Sequence, residues 1–197
     1  MAVIGEIIET SSIGFVAESF ELNQPPPLGS LVRVRVNKED LVYGVVSFGT
    51  TASPDPGRRA VRRSTEEVHD EAIYDEHPQL RHILRTEFSV HMVGCRLGDE
   101  IRHHLPPQPP PLHYSVHTCP ANEVSEFTEH LTYLRLLLSA TGEVPIEQLL
   151  AAHIREVYRA RGMDEAWLER AAREVAGLLK RDAERLLTVL YAIEPGP

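Results

Sequence analysis

The sequence predicts an α+β chain, with strands in the first 120 residues and helices in the rest. Three observations carry this. Leu31 to Val36 alternates strictly as Leu-Val-Arg-Val-Arg-Val, the period of a strand with one apolar and one wet face. β-Branched residues cluster around it, at Val3, Ile4, Ile7 and Ile8, punctuated by Gly14 and Gly29. From Asn122 onward the apolar spacing lengthens to that of helices, as in Phe127, Leu131, Leu134 and Leu138.

Taken in order, Val3 to Ser12 opens the strand region and Phe15-Val16-Ala17 continues it. Pro25, Pro26 and Pro27 cannot sit inside a hydrogen-bonded ladder, so they predict an extended surface connection. Asn37-Lys38-Glu39-Asp40 is a polar turn joining 31–36 to a second strand, 41–48. Between Thr50 and Thr86 the texture changes to a helical insertion near 64–85. Ser64 and Glu67 have capping-box spacing for a short helix over 66–73, and Pro78 can start another over 78–84. Strand character returns at Glu87 to Leu97, with Phe88, Val90 and Met92 on one face, then at 100–104 and 113–118.

The boundary at 120 separates these strands from a helical region, 121–197, of about three helices. The first is expected over 123–139, ended by Thr141-Gly142. The second starts at Pro145 and stops at Gly162. Asp164 caps a third that runs unbroken toward Ile193, a length of ~40 Å, which suggests packing against a partner. The helices are expected to cover the strand region or a second copy.

Composition excludes several classes. The chain has 197 residues, a 42% hydrophobic fraction and a net charge of −9. That charge disfavours a general nucleic-acid coat, although nearly all the basic charge is arginine, suited to bidentate anion contacts. No apolar run reaches the ~20 residues of a membrane span, and the N-terminus lacks the pattern of a signal peptide, so a cytoplasmic setting is expected. Cys95 and Cys119 are too few for a disulfide framework. No G-x-x-x-x-G-K-[ST] loop is present, and the two lysines, Lys38 and Lys180, do not follow a glycine.

Val3 to Ser12, the Pro-Pro-Leu-Gly-x-Leu-Val element at 26–32 and Val42-Tyr43-Gly44-Val45-Val46 carry a resemblance. Thr86-Glu87-Phe88 with Val93-Gly94, and the Pro-rich 106–111 leading into His113-Tyr114-Ser115-Val116, extend it. Over residues 3 to 120 the chain resembles the HAS-barrel, the N-terminal barrel shared by HerA DNA translocases and rotary ATP synthase subunits. The resemblance implies a small barrel of six to seven strands. It is similar to a stand-alone bacterial form lacking the ATPase core, which implies docking or ring assembly and no enzymatic turnover.

Among chemistry-bearing residues, His113, His117 and Cys119 share strand parity. His117 and Cys119 lie ~7 Å apart along a strand, within reach of one metal ion, with His103 and His104 as ligands from a neighbouring strand. The bland alternative is a structural thiol beside half-buried histidines, and no metal is expected. Arg58, Arg59, Arg62 and Arg63 are the candidate partner or anion contact, unless they merely balance the acids from Glu66 to Glu76. Asp70-Glu71 and Asp75-Glu76 do not share a helical face, and Ser11-Ser12 lacks a G-x-S-x-G context, so acid–base and nucleophilic catalysis find no motif. Tyr133, Tyr158 and Trp167 read as core aromatics. The expectation is a non-catalytic interaction protein without cofactor or nucleotide, partnered by protein or by itself. The alternative is a nucleic-acid-processing accessory factor related to the HerA system.

Overall fold

The computed structural model describes residues 2–55, 57 and 60–193. Seven strands form one antiparallel sheet: β1 (Val3–Thr10), β2 (Gly14–Ser19), β3 (Leu31–Arg35), β4 (Leu41–Ala52), β5 (Arg85–Leu97), β6 (Glu100–Arg102) and β7 (Ser115–Thr118). Their order is β2-β1-β7-β3-β4-β5-β6, and an additional β2–β5 pairing closes the first six into a barrel. β6 remains outside the closure as a short extra strand on β5. Closure removes the free edges that would otherwise invite pairing.

The barrel interior is filled by Ile7, Phe15, Ala17, Val32, Val34, Val42, Val46, Phe88, Val90, Met92 and Val116. These are the alternate residues of each strand, as the period of two requires. The register agrees, with Phe15 opposite Val90, Ala17 opposite Phe88 and Val34 opposite Val116. The polar turn between β3 and β4 is held by Asn37 Oδ1, which accepts from the backbone N–H groups of Glu39 and Asp40 at 2.9 and 2.8 Å.

The insertion lies between β4 and β5 and carries α1 (Ala72–Glu76) and α2 (Leu80–Ile83). The expected helix over 66–73 does not start at Ser64. Thr65 instead closes a turn, its Oγ1 accepting from Val68 N at 3.0 Å and its own N–H donating to Val68 O at 2.9 Å. A hydroxyl that satisfies the backbone locally competes with helix initiation.

The C-terminal region holds α3 (Ala121–Phe127), α4 (Leu134–Leu138), α5 (Ile146–Ala160), α6 (Glu165–Leu178) and α7 (Ala183–Ile193). Among the described residues, five helices therefore replace the expected three. The first expected helix breaks after Phe127 because its carbonyls are taken by other partners. His103 Nε2 donates to Phe127 O at 3.0 Å, and Trp167 Nε1 donates to Thr128 O at 2.9 Å. The long last helix breaks at 179–182, where Asp182 caps a new start: Arg185 N donates to Asp182 Oδ1 at 3.2 Å. α7 then folds back on α5, so the ~40 Å rod expected of an unbroken helix is not formed. The ends of α5 and α6 follow the sequence: Gly162 (φ +71°) terminates one, and Asp164 Oδ1 accepts from Trp167 N at 3.0 Å to start the other.

The helices pack on the outer wall of the barrel. Leu31, Tyr43, Val45 and Val93 of the strands share one core with Phe127, Tyr133, Leu134, Leu150, Ile154 and Trp167. Among the described residues no helix is long and apolar enough to cross a membrane.

Candidate functional site

The alternation of β3 places Arg33 on the outer wall, and α3 then covers it. Arg33, expected on a wet face, is 7% exposed. Its Nη1 donates to Glu123 Oε1 at 2.8 Å, and the Tyr43 hydroxyl donates to the same oxygen at 2.7 Å. Burial and the adjacent Glu123 push the Tyr43 phenol well above its ordinary range, so it holds its proton and stays a donor. Beside this trio, Arg96 donates to Glu126 at 2.7 Å. The group lies in a cleft of about 580 Å³ lined by Arg33, Arg35, Lys38 and Arg96 together with Glu39, Asp99, Glu123 and Glu126. Cations and carboxylates are balanced one for one, and the deepest of them are already paired. The arrangement fastens α3 to the barrel and leaves no net charge to attract an ionic ligand.

A second polar fastening joins the Pro-Leu-Gly turn to the helices. His153 of α5 is fully buried, its Nδ1 2.7 Å from the carbonyl of Gly29 and its Nε2 3.0 Å from the Tyr133 hydroxyl. A carbonyl only accepts, so Nδ1 carries the proton and Nε2 accepts from Tyr133. Burial pushes His153 down to about 4, which keeps the ring neutral. Gly29 is required twice over: its φ is +86°, and a Cβ there would stand 2.4 Å from the His153 backbone nitrogen.

The histidine and cysteine candidates do not converge. β7 starts only at Ser115, and His113 lies before it with φ +66°, its Nδ1 2.7 Å from Glu6 Oε1. The expected shared face of 113, 117 and 119 is therefore absent. His117 sits opposite Val3 and Arg33 on the barrel wall. Burial, with Arg33 and Arg35 nearby, holds it below its ordinary value. Cys119 follows the strand and packs against the helical core, where burial pushes its thiol up. His103 lies beyond β6, which pairs with β5 and not with β7, and both its ring nitrogens are engaged by Thr132 and Phe127. Among the described residues no group of three His, Cys, Asp or Glu side chains is placed to hold a metal ion. Cys95 and Cys119 are free thiols.

Of the arginine candidates, Arg58 and Arg59 lie outside the described residues. Arg62 and Arg63 are exposed, and neither makes an ion pair to the acids that follow. Tyr133 and Trp167 are core residues as expected, whereas Tyr158 is half-buried and bonds Glu165. The buried roles of Arg33, Glu123 and His153 are absent from the sequence reading. Arg33 carried one signal, an arginine repeated in a strand whose outer face a helix must cover.

No protein-family model matches the chain, and no curated protein matches it.

Proposed function

We propose that this is a non-catalytic interaction or assembly protein that uses a HAS-type barrel for docking or oligomerisation. One observation carries the reading. The chain's own helices pack on β3, β4 and β5, while the wall formed by β1 and its neighbours carries apolar side chains in solvent. Val3, Phe20, Leu112 and Tyr114 flank β1 there, with Phe20 58% and Leu112 49% exposed. Phe20 N donates to Ile4 O, and Ile7 N donates to Tyr114 O, which tie both aromatic residues to that strand. Exposed apolar side chains beside a wall that the helices leave open are candidates for an interaction surface. The packed barrel interior supports a scaffold, not a ligand carrier, and two free thiols suit a cytoplasmic setting.

The test pairs light scattering with affinity capture, for wild type and for Phe20→Asp/Leu112→Asp. The expected result is an assembly, or a stoichiometric partner, that the double variant loses at unchanged melting temperature. A wild-type monomer that captures no macromolecule would end the reading.

One observation favours a second reading, a nucleic-acid accessory factor of the HerA kind: Arg62 and Arg63 are exposed and, among the described residues, make no ion pair with a carboxylate. Salt-sensitive binding of a single-stranded oligonucleotide, lost in Arg62→Glu/Arg63→Glu, is its expected signature. Binding that is absent, or indifferent to the substitutions, removes it.

A further inference from the structure

Two features of the β4–β5 insertion have no role in the barrel. The first is electrostatic. The insertion, residues 53–84, holds five arginines and seven carboxylates, and these charges are segregated along the chain. Four of the five arginines come first, ending at Arg63, and six of the seven carboxylates follow, from Glu66 to Glu76. Among the described residues, the ion pair within the segment is Arg81–Asp75 at 3.8 Å. Among the described residues, Arg62, Arg63, Glu66, Glu67, Asp70 and Glu71 make no ion pair, and the Thr65 turn lies between the two blocks.

The second feature is apolar. A groove of about 550 Å³ in the same insertion is lined by Val61, Ile73, Tyr74, Leu80, Ile83 and Leu84, with Arg63 at its side. Val61 is 71% exposed and Ile83 47%.

A surface with a basic block, an acidic block and an apolar groove beside them is complementary to itself under a two-fold axis, where each block of one copy meets the opposite block of the other. A polyanion would face the carboxylates, and a basic peptide would face the arginines, so neither fits as well. We propose that the insertion is a self-association surface for a second copy of this chain. Arg62 and Arg63 of each copy pair with Glu66, Glu67, Asp70 and Glu71 of the other, over the apolar grooves. This inference rests on the assembly reading and adds to it a second copy of the chain, held at a surface other than the β1 wall.

The experiment is sedimentation equilibrium on the full chain and three variants: Arg62→Glu/Arg63→Glu, Glu66→Arg/Glu67→Arg, and the chain carrying all four changes. Wild type is expected to associate, with Kd weakening at least about tenfold as salt rises from about 0.05 to about 0.5 M, because screening shortens the reach of rim charges. Each two-residue variant is expected to lose association by about tenfold or more alone, to pair with the other when mixed, and to regain self-pairing when the changes are combined. Circular dichroism verifies that all remain folded. A wild type at 22.1 kDa under every condition overturns the proposal, as do variants that associate like wild type or mixtures that do not. An assembly dispersed by Phe20→Asp/Leu112→Asp but untouched by the insertion variants overturns it and leaves the assembly reading intact. An oligonucleotide complex lost in Arg62→Glu/Arg63→Glu, with no self-association in wild type, also overturns it.

Discussion

Arg33 and Glu123 show how much depends on a single buried pair. Replacing Arg33 by Met leaves the Glu123 carboxylate of α3, among the described residues, with the Tyr43 hydroxyl as its partner, and is expected to destabilise the fold by about 3–5 kcal/mol. The double variant Arg33→Met/Glu123→Leu removes both charges and recovers most of that loss, which urea unfolding of the two proteins checks. His153 sets a pH dependence at the same scale. Its folded value, about 4, lies below the ordinary 6.5, so the folded state binds fewer protons between those values. The stability this residue contributes is complete above pH 6.5 and falls as pH drops, by on the order of 3 kcal/mol near pH 4. His91, His103 and His117 are lowered too and add in the same direction. His153→Gln keeps a donor for Gly29 but does not titrate. It is expected to be less stable at pH 7.5 and to show a shallower stability slope between pH 6.5 and 4.5, by about one proton. An unchanged slope would remove His153 from the account. None of these roles was legible beforehand. An alternating arginine and a helical histidine acquire them only when two distant segments meet, Arg33 being 90 residues from Glu123 and His153 being 124 from Gly29.

At the scale of elements, strand period and turn chemistry were enough to locate most of the pieces. β1 to β5, the Asn37 turn, the Gly162 stop and the Asp164 cap lie where local rules put them. What failed were helices whose apolar stripe continued through a break. The stripe from Phe127 to Leu138 is continuous, yet His103 and Trp167 draw away the carbonyls that would have carried the helix across. The stripe from Leu168 to Ile193 also looks unbroken, yet Asp182 caps a new start within it. Asp182→Ala should therefore weaken the start of α7 by about 1 kcal/mol, speeding hydrogen exchange of its amides about fivefold while α5 and α6 stay protected. Equal exchange across all three helices would mean that α7 does not begin on its own cap.

The whole molecule joins two devices: a closed barrel that needs no partner to satisfy its strand edges, and a helical cladding that covers only part of its wall. The order of strands before helices was legible from the change of period near residue 120. The cladding was legible as one of two alternatives, the barrel or a second copy; its position was not, because the outer faces of β3 and β4 look like ordinary strand surface until Tyr43 and Arg33 are seen beneath α3. The long-helix argument for a partner falls away with the break at Asp182. The open wall around Phe20 and Leu112, together with the bipolar insertion, takes its place. Light scattering of the intact chain over a wide concentration range tests this most directly. The account predicts a mass that rises above the 22.1 kDa of one chain and falls again in high salt. A mass fixed at one chain under every condition, with nothing captured on the exposed wall, would contradict it.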